Sequence, residues 1–195
     1  MALALEVKSK VPFEFKDTEL EDAKIVKPQV FGDERGFFME TYVKEKFEEG
    51  GIDTEFIQDN HSKSEHGVLR GLHYQKGEHS QGKLVRCTQG VITDVIIDLR
   101  RDSETFGEHL KVILSEHNKK MLWVPRGFAH GFYTLSKTAE VQYKVDYDYA
   151  PEQEAGIAWN DPELDINWPT DNPKLSDKDE EWPTLEEAKE EGLLF

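Results

Sequence analysis

The chain has 195 residues, enough for one sizeable hydrophobic core and too few for two ordinary enzyme domains, so we predict a single domain over residues 1–195. Its 24 Lys and Arg residues against 40 Asp and Glu residues give a net charge of -16, which argues against binding to nucleic acid or to an anionic membrane. No apolar run approaches the ~20 residues that cross a bilayer, and the first residues lack a signal-peptide pattern, so we expect a cytoplasmic location.

The first elements are a hairpin and a short helix. In Phe31 to Glu40 two glycines bracket a charged turn that is followed by apolar residues, a pattern that fits either a structural hairpin leading into a strand or a functional segment. Val43 to Glu49 is typical of a short helix that stops at Gly50-Gly51.

A polar segment, QDNHS from Gln58, precedes the segment VLRGLHYQ from Val68. Period-two alternation puts Leu69, Gly71, His73 and Gln75 on one strand face, with the glycine leaving room for a ligand. A histidine in a strand is more often a hydrogen-bonded core residue than a catalyst. Arg70 favours the second interpretation, because an arginine near the core indicates a carboxylate or phosphate partner.

Six further strands are predicted between residues 83 and 149, separated by turn-forming residues. Many short strands with almost no intervening helix indicate an antiparallel sandwich, jelly roll or small barrel. The single cysteine, Cys87, lies in one of these apolar strands, which favours a core thiol and excludes an intrachain disulfide. The six predicted strands are Lys83 to Thr88, Val91 to Leu99, Leu110 to Leu114, Met121 to Val124, Gly131 to Leu135 and Val141 to Tyr149.

Three features of this region have a functional and a purely structural interpretation. Lys83 follows a glycine at a strand entry, and His130 follows a bend that contains Pro125 and Gly127. Alternation also places Tyr143, Tyr147 and Tyr149 on one face, either as core or as the lining of a barrel mouth. Spacing alone does not choose between these interpretations.

The C-terminal region combines a helix signal with high charge. Thr184 to Glu191 predicts a helix with a capping box formed by Thr184 and Glu187. Asp177 to Glu191 carries eight acids and two lysines, which indicates a solvated surface.

Taken together and in order, these segments resemble the dTDP-4-dehydrorhamnose 3,5-epimerase family. The matching stretches are VFGDERGFF, QDNHSKS, VLRGLHYQ, QGKLVR, PRGFAHGF, WNDPELDINWP and LSDKD, in register from about residue 25 to 180. The resemblance implies an all-β, cupin-type antiparallel jelly roll with a few short peripheral helices, a homodimer, and no cofactor or metal. The segment before about Val7 and the acidic tail, about residues 180–195, carry no family motif.

The resemblance also implies roles for individual residues. His73 matches the general base, Asp179 the carboxylate that orients it, Tyr143 the proton donor across the sugar and Lys83 the cation near the keto oxygen. The remaining matches are to substrate-binding residues: Arg70 and His130 around the sugar and diphosphate, Gln58 and Asn60 in the nucleotide-sugar pocket, and Arg35, Phe37 and Glu40 in a segment that reaches across the dimer to the partner's nucleotide.

The implied activity is conversion of dTDP-4-dehydro-6-deoxy-D-glucose to dTDP-4-dehydro-L-rhamnose by inversion at C3 and C5. The alternatives are an epimerase of one centre, a ketoisomerase of the same nucleotide sugar, and a non-catalytic sugar-binding cupin. A metal-dependent cupin is disfavoured because no second histidine follows His73 at a spacing of two residues.

Overall fold

The computed structural model describes residues 12–195 and consists mainly of antiparallel strands joined by turns. Strands β1 to β6 are Phe13–Asp17, Lys24–Pro28, Phe31–Asp33, Gly36–Phe38, Gln58–Glu65 and Leu69–Gln75. Strands β7 to β13 are Lys83–Gln89, Val91–Asp98, His109–Ser115, Met121–Val124, Phe128–Thr134, Thr138–Val145 and Glu154–Gly156. The α-helices are α1, Lys44–Glu49, and α2, Leu185–Glu190, and short 3-10 turns span Gly77–His79 and Pro151–Gln153.

Two antiparallel sheets face each other. One has six strands in the order β1-β2-β10-β7-β12-β5, and the other has five in the order β13-β6-β11-β8-β9. The pair β3 and β4 forms a separate hairpin. This arrangement of two facing antiparallel sheets is a cupin-type β jelly roll, as the sequence predicts.

The main core lies between the two sheets. From β8, Ile92 and Ile96 point into it, and from β7, Val85 and Cys87 meet them. The next residues along β8, Val95 and Ile97, belong to a second core on the opposite side of the five-stranded sheet. This strand is therefore apolar on both faces, as expected for a strand covered on both sides.

Cys87 is a buried core thiol, as predicted. Burial raises the pKa of Cys87 to about 11, which keeps it protonated near neutral pH and makes it a poor nucleophile.

Helix α1 covers the outer face of the six-stranded sheet. Its single fully buried side chain, Phe47, packs edge-on against Phe13 and Phe15, with ring centroids 5.0 and 5.3 Å apart. The helix ends at Glu49, where the sequence predicts its stop at Gly50-Gly51, and the Gly50 N–H bonds the Lys46 carbonyl.

The C-terminal segment departs from the expected solvated surface. The capping box of Thr184 and Glu187 forms as predicted, but Leu185 and Ala188 of α2 are buried in the second core. Phe195 packs on Tyr74, with ring centroids 5.5 Å apart. The acidic side chains occupy the outer side of the segment, and its few apolar residues dock it onto the sheet.

Other sequence predictions have mixed outcomes. The six strands predicted between residues 83 and 149 all form, with ends shifted by up to four residues; the last, Val141 to Tyr149, stops at Val145. Over residues 12–195 no helix is long and apolar enough to cross a membrane. The segment before Val7 lies outside the described residues.

Candidate active site

Two adjoining cavities open between the sheets and share His73, Lys83 and Tyr143 in their walls. The first has a volume of 460 Å³ and the second 310 Å³. His73 comes from β6 of the five-stranded sheet, whereas Lys83 and Tyr143 come from β7 and β12 of the six-stranded sheet. The three side chains therefore reach the shared space from opposite sheets.

Eight of the residues assigned by resemblance line these cavities. Arg70, His130 and Asp179 belong to the first cavity, Gln58 and Asn60 to the second, and His73, Lys83 and Tyr143 to both.

His73 is paired with a buried carboxylate. Its Nε2 lies 2.5 Å from Oδ1 of Asp179, whose side chain is only 4% exposed. The Ser176 hydroxyl donates to the other oxygen of Asp179 at 2.8 Å. Burial alone would raise the pKa of Asp179, but the hydrogen bond and charge of His73, together with the hydrogen bonds from Ser176 and Trp182, outweigh it and lower that pKa. Asp179 is thus an ionised acceptor that fixes the His73 ring.

Trp182 covers this pair from the C-terminal segment. Its ring centroid lies 6.0 Å from that of His73 in an edge-on arrangement, and its Nε1–H points to Asp179 Oδ1 at 3.4 Å. Gly156, opposite His73 in the strand register, permits this approach, because a Cβ there would lie 2.5 Å from the indole. Trp182 was not predicted as a site residue, because it falls in the segment predicted to be a solvated surface.

Lys83 carries a cation into a partly dehydrated space. Burial lowers its pKa to about 8, and the negative charges of Asp94 and Glu154 oppose part of this effect. Among residues 12–195 no carboxylate lies within ion-pair distance of its ammonium. Its charge is therefore available to a ligand in the cavity.

Tyr143 remains a neutral phenol near neutral pH. Burial is the main cause that raises its pKa; Arg70 opposes the increase and Glu154 adds to it. Tyr143 stands opposite Asn60 and Val85 on the two neighbouring strands. A neutral phenol at this position can donate a proton to a ligand.

The predicted tyrosine face is only partly correct. Tyr143 and Tyr149 line the second cavity, but Tyr147 lies beyond the end of β12 and packs against the ring of His79 at 5.4 Å. Asp146, the first residue after β12, accepts hydrogen bonds through its carboxylate from the Gly82 N–H and the Arg126 guanidinium.

The strand β6 also differs from simple alternation. His73 and Gln75 both line the second cavity, as predicted, but Leu69 packs in the second core. The register of β11 against β6 shifts between His130 and Phe132, next to Gly71. Gly71 makes room for the neighbouring strand and not for a ligand, because a Cβ there would lie 2.5 Å from Gly131 Cα.

Arg70 extends into the first cavity without a carboxylate partner among the residues that the structure describes. Its guanidinium Nε–H donates to the Ser64 hydroxyl at 2.9 Å, and a second N–H reaches the Lys63 carbonyl at 3.4 Å. The remaining donors suit an anionic ligand such as a phosphate.

The second cavity has a polar wall, in which Glu154 was not predicted from the sequence. Gln58 donates to Asn60 at 2.8 Å, and the Tyr149 hydroxyl donates to Glu154 at 2.7 Å. Lys178 forms an ion pair with Glu154. Burial would raise the pKa of Glu154, but Lys178 and Tyr149 lower it overall. Glu154 lies in a short strand with no distinctive pattern, whereas Lys178 is part of the LSDKD motif.

Arg35, Phe37 and Glu40 lie elsewhere. Arg35 pairs with Asp33 in the turn of the β3–β4 hairpin, and Glu40 pairs with Lys46 at 2.5 Å. Phe37 is 58% exposed. One chain thus does not bring these three residues into the cavities.

A metal site is not evident in the described part of the chain, where no group of three or more His, Cys, Asp or Glu side chains is placed to hold an ion. The cavity offers a histidine–carboxylate pair on one sheet and a lysine and a neutral tyrosine on the other. A jelly roll with this constellation defines the class of isomerases that act by proton transfer.

Comparison with known proteins specifies the class. The family model described as dTDP-4-dehydrorhamnose 3,5-epimerase matches residues 17–187. The chain belongs to this family. A curated dTDP-4-dehydrorhamnose 3,5-epimerase from Shigella flexneri is 56% identical over 163 residues, which are 83% of this chain and 90% of that protein.

Two solved structures are informative. The dTDP-6-deoxy-D-glucose-3,5-epimerase of Legionella pneumophila, in complex with dTDP-4-keto-L-rhamnose, is 46% identical with a TM-score of 0.89 and covers 93% of this chain and 97% of its own. A 3'-monoepimerase of Streptomyces bikiniensis, in complex with dTDP-quinovose, is 33% identical with a TM-score of 0.86 and covers 91% and 90%.

Proposed function

We propose that this chain converts dTDP-4-dehydro-6-deoxy-D-glucose to dTDP-4-dehydro-L-rhamnose by inverting C3 and C5. The observation that carries the proposal is the approach of His73 from one sheet and of Tyr143 and Lys83 from the other to one shared cavity. Inversion needs a base and an acid on opposite sides of the sugar ring, and this arrangement supplies both.

In the proposed reaction the C4 ketone makes the protons at C3 and C5 acidic. His73 removes one of them with Nδ1, the ring nitrogen that Asp179 leaves free, and the electron pair of the C–H bond moves to form an enolate. Tyr143 then gives its phenolic proton to the same carbon from the opposite face. Solvent takes the proton from His73 and restores the one on Tyr143, and the cycle repeats at the second carbon.

The charges in the cavity suit this chemistry. Negative charge develops on the C4 oxygen as the enolate forms, and Lys83 stabilises it more in the transition state than in the ground state. Asp179 stabilises the imidazolium that His73 becomes. Arg70 and His130 are proposed to hold the sugar and diphosphate. Gln58 and Asn60 are proposed to bind the substrate as residues of the nucleotide-sugar pocket.

We also propose that the active unit is a homodimer of single-domain chains in the cytoplasm. The β3–β4 hairpin and the residue before it expose Val30, Phe31, Phe37 and Phe38 by 41, 53, 58 and 67%. Contiguous apolar surface of this kind is typical of a protein interface. In this proposal Arg35, Phe37 and Glu40 complete the site of the partner. Cys87, a free thiol, suits the reducing cytoplasm.

The test is the reaction of purified protein with dTDP-4-dehydro-6-deoxy-D-glucose in deuterated water, followed by NMR. Deuterium should enter both C3 and C5, and an NADPH-dependent reductase should trap dTDP-L-rhamnose. Deuterium at C3 alone would instead assign a mono-epimerase. This alternative is included because the chain is also similar to the 3'-monoepimerase of Streptomyces bikiniensis. A keto group moved to C3 would assign a ketoisomerase, and binding without exchange a sugar-binding protein.

A further inference from the structure

A buried carboxylate, Asp94, lies on β8, an interior strand of the five-stranded sheet, next to a residue of the first cavity. Asp94 points into the space between the sheets, on the same face as Ile92 and Ile96, and is 0% exposed. Its Oδ1 lies 2.9 Å from Nε2 of His130. Its Oδ2 is buried and has no hydrogen-bond partner among the described residues.

An unpartnered carboxylate oxygen in the core opposes folding, because it loses its hydration and gains no hydrogen bond in return. Such exceptions concentrate at functional sites, where a local cost to stability is tolerated. Asp94 therefore needs an explanation beyond packing.

Two groups that line the first cavity carry or can carry positive charge next to Asp94. His130 contacts it directly from β11, and Lys83 feels its negative charge from β7 of the opposite sheet. Glu154 of β13 is the second carboxylate that acts on Lys83. The other titratable or charged side chains around the first cavity are Arg70, His73, Tyr143, Lys174, Lys178 and Asp179.

We propose that Asp94 is a positioning residue, whose Oδ1 fixes the His130 ring at the wall of the first cavity and whose negative charge acts on Lys83, near the place where the C4 oxyanion forms. In this proposal His130 Nε2–H donates to Asp94 Oδ1, and Nδ1 is left for the ligand. This inference rests on the proposed function, since it assigns a support to two of the groups that bind and stabilise the reacting sugar.

A second carboxylate on the same strand provides the comparison. Asp98 is also 0% exposed, but both of its oxygens are satisfied outside the cavities. Its Oδ1 accepts from the Arg100 backbone N–H and Nε–H, each at 3.0 Å, and its Oδ2 accepts from Arg100, Ser103 and Thr105 at 2.8, 2.6 and 2.8 Å. Asp98 is thus a structural carboxylate, whereas Asp94 contacts His130 of the cavity wall and has one oxygen without a partner among the described residues.

The experiment compares Asp94→Asn with Asp98→Asn, because each replacement keeps the side-chain shape and removes the charge. For Asp94→Asn we expect kcat to fall by about 10–100-fold, the range seen when a metal-ligating residue loses the hydrogen-bonded partner that orients it. The alkaline limb of the kcat profile should move to lower pH by about one unit, because Lys83 loses a nearby negative charge. Asp98→Asn should unfold at lower temperature yet keep the wild-type kcat and alkaline limb.

A measurement on the wild-type protein keeps the inference testable if Asp94→Asn does not fold. NMR of the ¹⁵N-histidine-labelled protein should show a proton on His130 Nε2, and an unprotonated Nε2 would overturn the proposal. A folded Asp94→Asn protein with unchanged kcat and alkaline limb would overturn it as well. Failure of the proposed function has a different signature, because the wild-type protein would then catalyse no inversion at all.

Discussion

His73 and Asp179 are 106 residues apart in the chain, and a hydrogen bond of 2.5 Å joins His73 Nε2 to Asp179 Oδ1. The contact links β6 to the loop before α2, and Trp182 covers it. Because Asp179 is buried and ionised, it holds the ring in one orientation and stabilises the charge that His73 acquires as a base.

The first prediction follows from this pair. His73→Asn should lower kcat on the order of 10²–10⁴-fold or more, because it removes the base, while dTDP still binds. Kinetics and calorimetric titration with dTDP measure the two properties. Near-normal turnover would exclude His73 as the base.

Asp179→Asn serves as the companion to that variant. The amide can orient the ring but cannot stabilise the imidazolium, so turnover should fall severely while the fold persists. A kcat equal to that of wild type across the pH range would contradict the assigned pair.

The second prediction concerns pH. Lys83 must be protonated to stabilise the enolate, so kcat should fall as pH rises through about 8. The effect of Lys83 on stability has the opposite sign. Between pH about 8 and 10.5, the ordinary pKa of a lysine, the unfolded chain holds the Lys83 proton and the folded chain does not, so the free energy of unfolding rises with pH.

Denaturant unfolding of wild type and Lys83→Met across this pH range isolates that contribution, since the other groups titrate in both proteins. The stability of wild type relative to the variant should rise from pH 8 to 10. A constant or falling difference would show that the folded protein does not lower the pKa of Lys83.

The third prediction separates removal of the proton from its return. Tyr143→Phe keeps the ring and removes the phenolic proton, so His73 can still exchange protons on one face of the sugar. In deuterated water we expect slow exchange with little inversion, and NMR distinguishes the two. Unimpaired inversion would assign the acid to another group.

The fourth prediction tests the homodimer. His73→Asn and Arg35→Ala proteins should each have low activity, and subunits mixed under exchange conditions should regain activity through hybrid sites. As the control, each variant is taken alone through the same exchange conditions, and its activity should stay low. Demonstrably mixed dimers without recovered activity would show that each site is built from a single chain.

The fifth prediction concerns metal. Because a lysine is assigned to the oxyanion, dialysis against a strong chelator should leave kcat unchanged. Loss of activity that Mn²⁺, Fe²⁺ or Zn²⁺ restores would support a metal-dependent mechanism.

Much of the fold follows from local pattern. The alternation in Met121 to Val124 and in Val91 to Leu99 predicts strands that form almost as expected, since side-chain period and burial agree there. The register shift next to Gly71 could not be predicted, because it depends on the approach of Gly131 from a neighbouring strand. The docking of Leu185 could not be predicted either, because the high charge of the segment indicated a solvated surface. A short helix packs on the core through one apolar face only.

The candidate site, like the fold, could be predicted from the sequence only in part. Motif resemblance placed His73, Lys83 and Tyr143, which the structure brings to one space, whereas spacing alone left each with a structural interpretation. Asp94 and Trp182 carry no local signal. Their relation to the cavities depends on strand pairing and on the path of the C-terminal segment.

The docked C-terminal segment has a consequence for biosynthesis. The ribosome delivers Asp179 106 residues after His73, and Trp182 and α2 come later still. Strands on both sheets can pair before that carboxylate exists, so a nascent jelly roll holds a histidine without its partner. The complete active site therefore forms after most of the sheet contacts, when Asp179 reaches His73 across a very long sequence separation.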